Sequence, residues 1–436
     1  MIWFTWGTAF FSTAPGICQP LENAHAHIYF FEELLKGAQA SFLKPVSMAQ
    51  LGRSGVQSFV DNSKCRSRWN KQEVEIKCFH HSIKEAVPLS SAERNARLFV
   101  RLLSLPKVSD FSWQQLKEVM AHDIVAELKD PFSTYFTEAE VKRLKTFGHW
   151  SAGIKVDPYN PNLIHSVRPD SSADKEGVFV GDQLLRVNGR TVQSLTYAQV
   201  STELIGPPEE LLVLEVKRGD EIMRFRLVRT NMMDVRLWAQ KVDNDILYIR
   251  PGRFADGLAD TMWVQLAPHA NAKGFILDLR HNPGGLVTEG VSFLNGFLEG
   301  GAVGSVHPRQ GHPSKNYEAT KTQVIPKGPI VILVDGATAS VSEFVAMVLQ
   351  KRRKALLVGQ GTLGKGRVQR VIPLPDKGSL KISVAELAGP SGKRLSQSID
   401  VDEFLAPAAG GTAISGLSPS KDSWVLHAIS LLQKAD

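Results

Sequence analysis

The sequence predicts an α/β core of alternating strands and helices, interrupted by an inserted, mostly β module and preceded by a helical segment. Three observations carry this. Residues 274–280 and 329–334 are nearly uninterrupted apolar runs, as in strands buried on both faces, and each leads into a helical stretch, 286–298 and 340–350. From 153 to 229, short β-like runs alternate with the turn pairs Gly181-Asp182 and Asn188-Gly189. From 90 to 136 the apolar residues recur at helical spacing instead.

At 436 residues the chain is too long for one ordinary core. The expected divisions are an N-terminal extension over 1–90, the helical segment over 91–149 packing on the core, the β module over 150–230, and the core over 231–436. Hydrophobic residues make up 43% and charged residues 22%, a soluble globular balance. No run of about 20 apolar residues is present to span a membrane. The net charge of +7 comes almost wholly from residues 36–71, where seven basic side chains accompany one acid, Asp61. A nucleic-acid binder carries its basic footprint on the folded module. That class is therefore excluded.

The same basic stretch bears Ser and Arg and is nearly free of acids. It has the composition of an organellar transit peptide, with Met48 as an alternative start; a disordered extension is the other reading. Residues 1–17 are aromatic and uncharged and lack the basic start of a secretory signal. Cys18, Cys65 and Cys78 show no CxxC spacing, and their odd count forbids a complete disulfide framework. Cysteine usage thus selects no redox compartment.

In the helical segment, Ser91 is placed to cap a helix with Leu98, Phe99, Leu102 and Leu103 on one face. Ser112 opens a second helix, which stops at Asp130-Pro131 because proline removes a donor. Strands of the module are expected at 163–167, 183–187, 211–216 and 223–228. Those of the core are expected at 245–250, 274–280, 329–334, 355–358, 367–373 and 380–385.

Three stretches carry chemistry. In Val334-Asp-Gly-Ala-Thr-Ala-Ser340, an apolar strand turns through small residues into a helix opened by serine. The positive helix end favours negative charge at Ser340, and the Val341 N–H is left without an intrahelical partner, free to donate to an oxyanion. A serine there is ordinarily only a helix cap; Thr362-Leu-Gly-Lys365-Gly-Arg-Val-Gln369 adds to it. A lysine between glycines can sit in a tight turn, and burial could lower its pKa by about 3–5 units, enough for a neutral amine to act as base. In an extended run Gln369 would share a face with Lys365 and orient its amine. A P-loop is disfavoured because glycine follows Lys365. In residues 274–285 another strand runs into Gly284-Gly285, either of which could give a second oxyanion donor.

Together these stretches resemble the carboxyl-terminal processing peptidases, serine peptidases with a Ser–Lys dyad and an inserted PDZ module. The nucleophile motif corresponds to Ala337-Thr-Ala-Ser340-Val-Ser-Glu343 and the lysine motif to residues 362–369, with Lys365 twenty-five residues after Ser340. The Asp-Leu-Arg-x-Asn-Pro-Gly-Gly turn is intact at 278–285. Asp130-Pro-Phe-Ser is similar to the plant and algal photosystem D1-processing members, and residues 167–173 and 181–189 resemble PDZ signatures. The resemblance spans about residues 95–433 and implies a crotonase- and ClpP-like layered core.

It further implies Ser340 as nucleophile, Lys365 as general base oriented by Gln369, and an oxyanion hole from Val341 with Gly285 or Gly284. A turn at Ala152-Gly153-Ile154 would bind a substrate's terminal carboxylate. It implies protein substrates held by their C-termini, no metal or organic cofactor, and at most peripheral membrane association. A chloroplast location, in the thylakoid lumen, is expected, with a bacterial-type cell envelope as the alternative. The sequence departs from the family at Lys351, where aspartate is common, at Val341 for alanine, and at Leu363 for an aromatic. The rival readings are a catalytically inactive PDZ- and peptidase-like binding protein and a crotonase-like acyl-CoA enzyme. Among twelve histidines, only His281 lies near the glycine turn, and it occupies a variable family position.

Overall fold

Ser-x-x-Gln capping boxes at Ser47–Gln50 and Ser112–Gln115 open the helices Met48–Asp61 and Trp113–Ala126. The computed structural model describes residues 23–434 apart from 88, 106–108, 169–170, 194, 232–236, 244, 310, 321–326, 407–418 and 420–421. The chain divides into two units. One comprises the described residues up to 40 with 46–129 and 373–380; the other comprises 41–45, 130–372 and the described residues from 381.

In the first unit, helices Ala24–Ser41, Met48–Asp61, Ala92–Leu103 and Trp113–Ala126 bury Phe30, Phe31, Leu34, Phe59 and Phe99. Gly55 is what allows close approach here: a Cβ on it would stand 2.3 Å from the Phe99 ring. Strands Cys65–Trp69, Glu73–Cys78 and His81–Ala86 form an antiparallel sheet, closed by a Cys65–Cys78 disulfide. The expected disordered or transit segment is thus corrected. Residues 36–71 form helix and strand around a real core, because their apolar residues bury on helical faces that composition alone hides. Two of the three cysteines are joined, as an odd count permits, and Cys18 and the 1–17 run lie outside the described residues. The expected division at residue 90 is absent too, since the Ser91- and Ser112-capped helices share this unit with residues 24–86.

The second unit holds the module and the core. In the module, strands Glu221–Leu227, Leu212–Arg218, Gln183–Val187 and Arg190–Thr191 form one sheet, and Ile154–Val156 pairs with Ile164–Val167. Helix Tyr197–Leu204 packs on them over Ile154, Val156, Leu184, Leu214 and Phe225. In the core a six-stranded sheet runs in the order Leu237–Asp243, Ile246–Pro251, Gly274–Asp278, Ile330–Val334, Leu356–Gly359, Glu403–Phe404. All its pairs are parallel except the first. Helices Leu258–Leu266, Val287–Leu294 and Val341–Arg353 cover one face, and helix Ser423–Lys434 covers the other with Trp424, Val425 and Ile429. A second sheet joins Lys315–Ala319, Gly301–Pro308, Ser379–Ala388 and Arg367–Pro373, with Thr134–Phe136 paired to Ser379–Ala388. This is the α/β core with an inserted β module. Strand Leu237–Asp243, helix Leu258–Leu266, the 301–319 hairpin and the last helix were not anticipated.

Replacing both Cys65 and Cys78 by serine is expected to destabilise the first unit by about 3 kcal/mol, the loop-closure entropy of a short cross-linked loop. Denaturant unfolding of the two proteins measures this; indistinguishable midpoints would contradict it.

Candidate functional site

Three turns meet at the carboxyl ends of three adjacent parallel strands, Gly274–Asp278, Ile330–Val334 and Leu356–Gly359. That is the edge where open α/β sheets gather their functional groups. The middle turn is built by Asp335, whose Oδ1 accepts the N–H groups of Ala337 at 3.0 Å, Thr338 at 2.9 Å and His281 at 3.0 Å. Short polar and small residues suit such a turn. It delivers Ser340 at φ 60° and ψ −119° at the start of helix Val341–Arg353. For a residue with a Cβ this conformation costs about 1–3 kcal/mol. A strained strand-to-helix elbow is how α/β folds lift a serine hydroxyl clear of the backbone.

The first turn is laced to it. Asn282 donates to the carbonyls of Pro251 at 3.0 Å and Gly252 at 2.8 Å, and its own carbonyl accepts the Ala339 N–H at 3.0 Å. Gly284 has φ +84°, and a Cβ there would lie 2.7 Å from both Ala339 O and Val341 N. Only glycine fits. The N–H groups of Val341 and Gly285 have no hydrogen-bond partner among the described residues. The Gly284 N–H is committed to Asn282 Oδ1 at 3.0 Å, so Gly284 is corrected as an oxyanion donor. Val341 is buried, and its Cγ1 fills the space over Gly290, where a Cβ would stand 2.3 Å away. The valine therefore has room in place of the family's alanine.

The third turn carries Lys365. Glu343, fully buried, accepts four hydrogen bonds: from Thr362 Oγ1 at 2.5 Å, Gly364 N at 2.7 Å, Lys365 N at 2.9 Å and Ser340 N at 2.7 Å. One oxygen, Oε2, serves both Ser340 and Lys365. Burial raises the Glu343 pKa, while these four donors pull the other way. The Lys365 amine is pushed down to about 7, chiefly by desolvation and then by the charges of Lys381, Lys155 and Arg253; Glu343 opposes them. The Phe132 ring lies 5.1 Å from the amine, and its face also favours the cation. Desolvation and the three cations outweigh both. The segment bearing Phe132 braces the lysine turn. Asp130 pairs with Arg367 and accepts Ser133 Oγ at 2.5 Å, and Ser133 in turn accepts the Ser383 N–H at 3.0 Å.

Not every expected contact forms. Gln369 donates to Arg367 O at 2.7 Å and does not reach Lys365. The strand begins only at Arg367, so Lys365 and Gln369 do not share one extended face, and the orienting role is corrected. No hydrogen bond joins Ser340 Oγ to the Lys365 amine in this structure. His281 lies with its Nε2 3.1 Å from Asp335 and is lowered in pKa chiefly by burial, a structural partner of the middle turn. Lys351 is exposed in the last turn of its helix. In the module, Ala152 is buried, and Gly153 at φ +93° donates its N–H to Ser151 Oγ at 3.1 Å. Sequence reasoning missed Glu343 as the clasp. The Ser-x-x-Glu capping box at 340–343 was the signal that could have found it.

A cavity of about 640 Å³ opens between strand Ile154–Val156, helix Tyr197–Leu204 and the core turns at 250–253 and 280–283. His165 of the module bonds the Gly336 carbonyl of the middle turn at 2.6 Å. Module and Ser340 turn are thus in direct contact. A hydroxyl on a strained turn, an amine titrating near neutrality and two unpaired N–H groups are the parts that acyl transfer requires.

Residues 245–403 match Peptidase family S41 and residues 163–218 match the PDZ domain. The chain is 32% identical over 276 residues to a carboxy-terminal-processing protease of Bartonella bacilliformis, covering 60% of this chain and 63% of that protein. It is 31% identical to carboxyl-terminal-processing peptidase 1, chloroplastic, of Arabidopsis thaliana, over 62% of this chain and 59% of the relative. The matches therefore span about six-tenths of these relatives. A photosystem II D1 C-terminal processing protease superposes with a TM-score of 0.64 at 19% identity, covering 87% of this chain and 93% of that one, which establishes a shared fold. No helix among the described residues is long and apolar enough to cross a membrane.

Glu343→Ala would leave four donors without their acceptor, and is expected to lose about 3–4 kcal/mol of stability. Chemical denaturation reads this directly. A loss under about 1 kcal/mol would show that the two turns do not depend on the carboxylate.

Proposed function

From the premise that the chain carries an S41 peptidase domain and a PDZ domain, we propose that it is a serine endopeptidase processing proteins near their C-termini. Ser340 is its nucleophile and Lys365 its general base. The observation that carries the reading is the Glu343 carboxylate, which takes the N–H of both residues beside an amine whose pKa is about 7.

In this reading the neutral Lys365 amine takes the Ser340 proton as Oγ attacks the substrate carbonyl. The N–H groups of Val341 and Gly285 receive the oxyanion. Lys365 then returns the proton to the leaving amine, and water, deprotonated by the same amine, releases the acyl group. Catalytic hydrogen bonds often tighten only in the substrate complex, so the missing Ser340–Lys365 bond is assigned to the substrate-free state. The His165–Gly336 contact supports coupling between the module and the nucleophile turn. The module takes a substrate's extended C-terminus by strand addition, with its terminal carboxylate at Ala152-Gly153-Ile154. The relatives include chloroplastic and bacterial proteins. The Cys65–Cys78 disulfide favours a compartment that oxidises thiols, such as the thylakoid lumen or a cell envelope.

Degradation of a protein with an apolar C-terminus is expected to fall about a thousandfold or more in Ser340→Ala and in Lys365→Ala, measured as kcat/KM. Equal rates in all three proteins would refute the dyad.

The base must be neutral to act, so kcat/KM is expected to rise about tenfold per pH unit up to pH about 7 and then level off. Lys381→Gln removes a charge that lowers the Lys365 pKa, and is expected to move that acid limb to higher pH. A limb that stays in place, or moves down, would contradict the assignment of the base.

A further inference from the structure

The cavity beside the module is strongly biased in charge. Its wall carries Lys155, Arg168, Arg250, Arg253 and Arg280, and neither aspartate nor glutamate. Arg280 is neutralised by Asp278 at 2.7 Å and Asp422 at 3.0 Å. Lys155 and Arg253 form no ion pair among the described residues. Side chains alternate along a strand. Ile154 and Val156 accordingly enter the module's core, while Lys155 stands on the opposite side, half-buried in the cavity.

The amine of Lys155 is pushed down to about 8 by desolvation, with Arg168 and Arg253 adding to the effect. Asp335 opposes this, but its Oδ1 is already held by the N–H groups of His281, Ala337 and Thr338. Two cations thus share a half-enclosed space with no carboxylate at ion-pair distance among the described residues, Asp335 acting on Lys155 only from farther away. A carboxylate placed there would receive charge-assisted hydrogen bonds, which are about twice as strong as neutral ones.

We infer that this groove selects C-terminal tails carrying an acidic side chain at the penultimate position, with Lys155 and Arg253 as its partners. The inference rests on the reading that the module captures substrate C-termini. A tail added as a strand beside Ile154–Val156 points its last side chain toward the module's apolar core. The two-residue period then turns the penultimate side chain outward, to the side where Lys155 stands. Residues 250–253 close that side of the cavity and bring Arg253 to it. Lys155 and Arg253 act here as specificity residues, and their charges also reach the Lys365 amine.

The test uses the full chain with Ser340→Ala, so that bound peptide is not cut, and reads fluorescence anisotropy. Four labelled peptides share one apolar C-terminal sequence: penultimate Glu, penultimate Gln, penultimate Lys, and the Glu peptide with an amidated C-terminus. The Glu peptide is expected to bind roughly tenfold tighter than the Gln peptide. The Lys peptide should be weaker still, and added salt should shrink the difference. Lys155→Gln should bring the Glu-to-Gln ratio near one. Equal binding of the three free-ended peptides, with loss on amidation, would overturn the selectivity and leave C-terminal capture standing. Binding of no peptide, or equal binding of the amidated one, would overturn capture and the selectivity with it.

Discussion

One buried carboxylate clasps two turns that lie far apart in sequence, which the Leu363 N–H, donating to Thr338 O at 3.0 Å, also joins. Glu343 takes the backbone of Ser340 on one side and the Thr362–Lys365 turn on the other. Each hydrogen bond to an ionised acceptor contributes about 1.5–3 kcal/mol. Four of them offset both the desolvation of the carboxylate and the strain at Ser340, estimated at about 1–3 kcal/mol. A hydroxyl-bearing elbow and a lysine turn are thereby held to the same oxygen without a covalent link. The elbow could not persist if its N–H were left without an acceptor.

The rest of the core serves this clasp. Three parallel strands end side by side, so three turns are delivered to one edge. Asn282 and Gly284 then set the spacing between the first and second turns, leaving the Val341 and Gly285 N–H groups unpaired. Below the turns, Arg280 ties Asp278 to Asp422 at the start of the last helix. Burial works to raise the Asp278 pKa, yet the guanidinium and the Tyr248 hydroxyl hold it at about 2. That ion pair anchors the first strand to the helix covering the opposite face of the sheet. The cations around Lys365 have the opposite effect to Arg280: they destabilise charge on the amine, and desolvation does the most.

Much of this was legible in the sequence where local pattern and buried structure coincide. Ser91 and Ser112 cap their helices as their positions suggest, and the runs near 183–187, 330–334 and 367–373 are strands. Illegible parts depended on contacts that spacing does not encode. Gln369 was set beside Lys365 by an extended-strand rule, but the strand starts after the lysine, and the amide finds a carbonyl on its own strand. Residues 36–71 were judged by charge, which hid the apolar faces of Met48–Asp61 and the pairing of Cys65 with Cys78. Strand Leu237–Asp243 is an edge strand with mixed exposure, so it lacks the continuous apolar run that marked its neighbours. Glu343 was visible as a capping residue, but only the fold reveals that its other oxygen faces Thr362 and Gly364.

This enclosure leaves the Lys365 amine able to lose its proton near neutrality while Glu343 holds the lysine turn to the Ser340 elbow. Selective ¹³Cε labelling of lysine, with Lys365 assigned by its absence from the Lys365→Ala spectrum, follows that proton by NMR titration. The account predicts a midpoint near pH 7 for this resonance. A resonance still titrating at the ordinary lysine value, about 10.4, would contradict it.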